Sequence, residues 1–196
     1  MRIFRIMRKE IYESKQLLIE NCGTGRVYVR ANEKEITVSE PVRISVDEIK
    51  MVDKTKYQYD EVIVSVNSFS EDNVLEALRQ QILKCISDYD SSDNVNAFYL
   101  KGQKVWLDKD TRSSLILRFN AEKSAGKTET TLWLGNNSIT LAIDDAIKML
   151  YALEVYASAC YDNTASHKAN VSALTTVEEV MNYDYKTGYP TKLEFK

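Results

Sequence analysis

Residues 143–174 read IDDAIKMLYALEVYASACYDNTASHKANVSAL, thirty-two positions without glycine or proline. Asp144 and Asp145 fall in the first turn, where the helix dipole favours negative charge. Leu150, Leu153, Ala157, Cys160, Thr164, His167, Val171 and Leu174 follow at alternating steps of three and four. That spacing is a heptad seam. It predicts one helix of about 48 Å at 1.5 Å per residue, with Met181 as the outer bound of any continuation. A rod of that length is hard for a small half-domain to cover. The seam residues therefore either pack against the helix of Lys109–Lys123 and the two hairpins upstream or are candidates for a subunit interface.

Upstream of the rod, the pattern predicts a helix from Lys109, capped by Asp108 and ended near Gly126. It carries Leu115, Ile116, Leu117 and Phe119. Two hairpins flank it: Ala97–Leu100 with Gln103–Leu107 around Lys101-Gly102, and Thr130–Leu134 with Ser138–Leu141 around Gly135-Asn136-Asn137. A further helix of about five turns starts at Ser70, with Val74, Leu75, Leu78, Ile82, Cys85, Ile86 and Tyr89 on one face. The polar run Tyr89–Asn94 ends it. Before residue 70 the period is two: Val27 and Val29, Ile36 and Val38, Val42, Ile44 and Val46, Val62, Val64 and Val66. Such alternation predicts half-buried antiparallel strands, with turns at Cys22–Gly25 and Ala31–Lys34. Glu10–Ile19 reads equally as strand or short helix. The expected fold class is α+β. It comprises a β-rich module over 1–69, a connecting helix over 70–90, a hairpin–helix–hairpin–long helix domain over 91–181, and a tail over 182–196 that forms a strand or an adhesive arm.

Composition narrows the function. The chain has 196 residues, 26 basic and 29 acidic, for a formal net charge of -3. That balance is not the basic footprint of a nucleic-acid or membrane-surface binder. Two prolines and six glycines exclude collagen-like or linker-dominated architectures, and 12 tyrosines argue against wholesale disorder. The start, MRIFRIMRKE, alternates apolar and basic residues, so no secretory leader is expected. No stretch approaches the roughly 20 apolar residues of a membrane span. Cys22, Cys85 and Cys160 fit neither a disulfide framework nor a metal clip, and three buried or inert thiols in a reducing cytoplasm are expected. Without a route of export, the sequons at Asn136 and Asn170 carry little.

Four groups of residues could carry chemistry. Gly126-Lys127-Thr128 ends like a phosphate-binding loop, but Ala121 stands where its first glycine belongs, and the trio follows a helix instead of opening one. His167 is the only histidine, which excludes His-paired metal sites and two-histidine relays. It shares a helix face with Cys160, but two turns separate the pair by about 10.5 Å along the axis, too far for proton transfer. Asp88, Asp90 and Asp93 lack the glycine and terminal glutamate of a calcium loop, and read as a solvated turn. Trp106 and Trp133 are expected to anchor the core. The alternative is an exposed platform for a sugar or partner, with Asp108 and Asp110 beside it.

The order of residues from about 90 to 176 resembles a phage and prophage family. The resemblance rests on YDSSDNVNAF at 89–98, Gly102, VWLDKDTR at 105–112, EKSAGK at 122–127, TTLW at 130–133, LYALEVYA at 150–157, ACYDNT at 159–164, His167-Lys168-Ala169 and Val171. Members of that family are encoded near tail-fibre and tail-fibre-assembly genes. The resemblance implies a gut-bacterial phage or prophage setting and a structural or assembly role. It carries no catalytic residue, cofactor or metal. Residues 1–69 lie outside it. The expected protein is thus a non-enzymatic tail-associated component of the bacterial cytoplasm or the virion. It would assemble through its long helix with copies of itself or with tail proteins, and would bind neither nucleic acid nor membrane. The alternative is a small enzyme or carbohydrate-binding protein built on Trp106 and Trp133.

Overall fold

The computed structural model describes residues 7–196. Its strands are β1 (Arg8–Tyr12), β2 (Ile19–Asn21), β3 (Arg26–Arg43), β4 (Ile49–Ser65), β5 (Phe98–Leu100), β6 (Gln103–Val105), β7 (Glu129–Leu134), β8 (Asn137–Ala142) and β9 (Glu194–Phe195). Its helices are α1 (Glu71–Asp90), α2 (Asp93–Asn96), α3 (Lys109–Ser124), α4 (Ile143–Ala173) and α5 (Val177–Met181). The fold class is α+β. The described chain forms two compact units. One runs to Leu83 and takes in Val171–Tyr183, while the other is Lys84–Asn170 with Asp184–Lys196. The divisions drawn from sequence at 69, 90 and 181 are therefore not the bounds of the units. Residues 171–183 return to the β-rich unit because Val171, Val180 and Met181 are apolar and buried there.

In the first unit the strands lie in the order β1-β4-β3-β2, all antiparallel. Alternation of β-branched residues puts Val27 opposite Val64 and Val29 opposite Val62, and all four are buried. On α1, Val74, Leu78 and Ile82 recur every fourth residue and are buried as well. Arg79 donates to the carbonyl of Leu174 through Nε at 3.0 Å and through Nη2, holding the chain just past α4. A capping box between Thr176 and Glu179 then starts α5, so the helix expected to run towards Met181 stops at Ala173.

Ala31–Lys34 is not a turn. It is an irregularity inside β3, where the register slips between Ala31 and Lys34. Asn32 adopts the left-handed conformation, φ 56°, and its amide donates to Asp60 and to Asn182, both at 2.8 Å. β3 thereby stays paired with β4 across the slip. The runs 36–38, 42–46 and 62–66 thus belong to two long strands and their tip, not to a series of short strands. β1 covers β4 only at Tyr57–Glu61, and β2 covers β3 only at Val27–Val29. From the pair Ile36/Lys56 to the pair Arg43/Ile49, the ribbon has no third strand among the described residues. This two-stranded arm is about 25 Å long at the rise of a strand.

In the second unit, α3 and the N-terminal half of α4 enclose a core with the two hairpins. Phe98, Leu100, Leu115, Phe119, Leu132, Ile139, Leu150 and Leu153 are all buried there. Arg112 ties the start of α3 to α4, with Nε 2.6 Å from Glu154 Oε1 and Nη1 donating to the Leu107 carbonyl at 2.7 Å. Gly126, at φ 83°, takes the left-handed conformation that closes α3, as its position predicted. The C-terminal tail supplies β9, parallel to β5, with Tyr99 donating to Leu193 and Lys101 to Phe195.

Candidate functional site

The heptad seam is covered by the chain itself. Leu150, Leu153, Cys160, Thr164, His167 and Val171 are buried, and Ala157 and Leu174 are half-buried. Leu150 and Leu153 lie in the core with α3 and the hairpins, while Cys160 packs with Tyr156 and Val95. Thr164 donates to Asp90 at 2.8 Å and lies 2.9 Å from the Tyr189 hydroxyl. His167 Nε2 is 2.9 Å from the Thr187 carbonyl, and its ring stacks on Tyr189. A continuous rod thus exists, but its apolar stripe is an intramolecular surface. The physical reason is the tail, which lays Tyr189 and Leu193 beside residues that helix spacing alone left uncovered.

The thiols differ. Burial pushes the Cys85 and Cys160 thiols up, against the opposing hydrogen bonds of Tyr185 and Tyr156. Burial likewise raises the Tyr185 hydroxyl to about 12. Cys22 is exposed, so burial holds for Cys85 and Cys160 alone. A native Ellman assay at mildly alkaline pH is expected to release one fast equivalent per chain from Cys22, with two more after denaturation. Three fast equivalents would contradict the burial of Cys85 and Cys160.

The tryptophans are not core anchors. Trp106 is 50% exposed and Trp133 66%. Trp106 lies just beyond β6, and Trp133 is on the open face of β7. Asp108 is the N-cap of α3, its Oδ1 accepting from the Thr111 amide at 2.7 Å, and that bond holds its carboxyl below the usual range. Asp110 sits in the first turn of the same helix. Both carboxylates therefore have a structural explanation in the capping of α3. The three aspartates do not form one solvated turn: Asp88 lies within α1 and pairs with Lys84 at 3.0 Å, Asp90 ends α1 half-buried and accepts from Thr164, and Asp93 pairs with Lys104.

Two features of the first unit were not anticipated from sequence. One is a cleft of about 750 Å³ between β3 and the starts of α1 and α5. Leu18, Ile19, Ala31, Leu75 and Val177 line it with apolar surface, and Glu33, Glu71, Asp72 and Glu178 add acidic groups. Beside it Arg30, only 3% exposed, donates from Nε to Glu61 at 2.7 Å and from Nη1 to Glu20 at 2.8 Å and the Leu17 carbonyl at 2.9 Å. Its guanidinium lies 5.1 Å from the ring centres of both Tyr12 and Tyr28. Burial works against its charge, but the bonds it donates to Glu20, Tyr12 and Glu61 outweigh that and raise its pKa further. The charge is spent inside the protein, so Arg30 does not offer the cleft a free cation. Glu71, Asp72 and Glu178 occupy first-turn positions, where the helix dipole accounts for them.

The other feature is the arm. Towards its end apolar residues are exposed: Ile49 is 68% exposed, Met51 59% and, at the tip, Val46 81%, whereas Ile36, Val38 and Val42 are half-buried. One face carries Lys50, Lys54 and Lys56 opposite Val42, Val38 and Ile36, with Glu40 serving both Lys54 and Lys56. An unsupported two-stranded ribbon is marginally stable in water, and the end of this one holds Val46, Ile49 and Met51 exposed to solvent. The continuous alternation from Ile36 to Val46 was its signal in the sequence.

Comparison with protein-family models, with curated proteins and with solved structures found no match to this chain. Among the described residues no helix is long and apolar enough to cross a membrane.

Proposed function

We propose that the protein is a non-enzymatic structural or assembly component of a phage or prophage tail, acting by protein–protein contact in the bacterial cytoplasm or the virion. The resemblance of residues 90–176 supplies the setting. The observation that carries the mode of action is the β3–β4 arm, with Val46, Ile49 and Met51 exposed at and near its end. Because the α4 seam is occupied by the chain's own residues, the arm takes the assembly role for which the seam was a candidate. The test is copurification of the tagged full chain from a host expressing phage tail genes. Tail-fibre or tail-fibre-assembly proteins are expected in the eluate, and to be lost when Val46, Ile49 and Met51 are replaced by serine. An eluate without tail proteins would overturn the proposal.

The exposure of Trp106 and Trp133 favours a second reading, a carbohydrate-binding surface. It requires that oligosaccharides change tryptophan emission saturably, and that Trp133→Ala removes the change.

A further inference from the structure

The two edges of the arm are not equivalent. Val66 donates to Gly25 across β3–β4 at 2.8 Å, and Ile44 donates to Glu48 at 2.9 Å. In an antiparallel ladder, alternate residues point their amides to the same side. Beyond the irregularity at Ala31–Lys34, the even-numbered residues of both strands therefore face one another, and the odd-numbered ones face outward. On β3 the outward set includes Pro41, which has no N–H and whose ring obstructs an added strand, a common protection of sheet edges. On β4 the outward set is Ile49, Met51, Asp53 and Thr55, with no proline and no described strand beside them until β1 begins opposite Tyr57.

We propose that this open edge is a self-association surface, on which two copies pair β4 with β4 antiparallel about a two-fold axis at Met51. The arms then merge into one four-stranded ribbon. The inference rests on the arm being the assembly element, and it names the partner as a second copy of this chain.

Charge selects that register. A two-fold axis at Met51 sets Glu48 opposite the second copy's Lys54, twice, with Lys50 opposite Val52 and Met51 against Met51. An axis at Val52 sets Glu48 opposite Lys56, twice, but also Lys50 opposite Lys54, twice, and Lys56 already meets Glu13 and Glu40 within its own chain. An axis at Asp53 sets Lys50 opposite Lys56 and Asp53 opposite itself. Like charges directly opposite one another are unfavourable, and opposite charges favourable. Lys54 is well placed for a second carboxylate, because the one it meets on its own arm, Glu40, is shared with Lys56. The edge open to a second copy, Ile49–Thr55, ends where β1 takes over, so the two uses of β4 do not compete.

The experiment is light scattering on the full chain after size exclusion, from about 5 to about 300 µM. Wild type is expected to rise from the single-chain mass of 22.5 kDa towards twice that value. Met51→Pro removes an outward amide and no bond within the arm, so it is expected to stay at the single-chain mass with an unchanged melting curve. Glu48→Lys and Lys54→Glu should each weaken dimerisation about tenfold, and the double variant should restore it. Wild type at the single-chain mass throughout, or Met51→Pro dimerising like wild type, would overturn the proposal. A double variant no better than either single one would overturn the Met51 register. None of these outcomes bears on the tail setting, which the copurification decides.

Discussion

Arg30→Ala is expected to destabilise the first unit by about 3–5 kcal/mol, the usual cost of leaving one member of a buried ion pair without its partner. Glu61 would keep its bond from the Tyr12 hydroxyl, 2.5 Å away, but would lose the guanidinium that offsets its burial. The gap between Tyr12 and Tyr28 would also open. Arg30→Met with Glu61→Leu removes both charges and keeps the volume, so the double variant should recover most of the loss. Urea unfolding should be followed by circular dichroism, because both tryptophans belong to the other unit. An Arg30→Ala midpoint indistinguishable from wild type would show that the network contributes nothing net.

Leu153→Asp is expected to have an effect as large in the second unit, about 4 kcal/mol or more, because it places a carboxylate among buried apolar side chains. Leu153 is 5% exposed and lies in one buried cluster with Leu115, Phe119 and Leu150. Had the seam faced a second copy, the same substitution would split an oligomer and leave the monomer's melting unchanged. The prediction is therefore a loss of cooperative unfolding, read by circular dichroism and by Trp106 and Trp133 emission. An unchanged melting curve with altered mass would return the seam to the role of an interface.

How much of this was legible in the sequence depended on the range of the interaction concerned. Helix caps and glycine stops are local, and Ser70, Asp108 and Gly126 marked the starts of two helices and the end of one correctly. The seam was equally legible as a stripe, but what covers a stripe is a long-range matter. Tyr189 and Leu193 come from a polar-looking tail whose apolar contacts carry no periodicity. Ala31–Lys34 looked like a turn because asparagine tolerates the left-handed conformation in turns and bulges alike. Asp60 and Asn182 decide between them, and Asn182 is far away in the sequence. Arg30 was illegible for the same reason, since its partners come from three other stretches of chain, at Tyr12, at Leu17 and Glu20, and at Glu61. The two tryptophans mislead in the opposite direction. Trp133 stands between two leucines and Trp106 between Val105 and Leu107, so both look like core, yet alternation along β7 sends Leu132 inward and Trp133 outward.

The open edge of β4 is tested most directly by a cross-link on its proposed axis. In the paired ribbon, Met51 would face its counterpart at about 5.5 Å between Cα atoms, within the range a disulfide spans. In a Cys22→Ser background, Met51→Cys is expected to give a covalent dimer under mild oxidation of the full chain. Ser39→Cys, on the β3 edge beside Pro41, is expected to remain a single chain. Cross-linking of Ser39→Cys as readily as Met51→Cys, or of neither, would contradict the account.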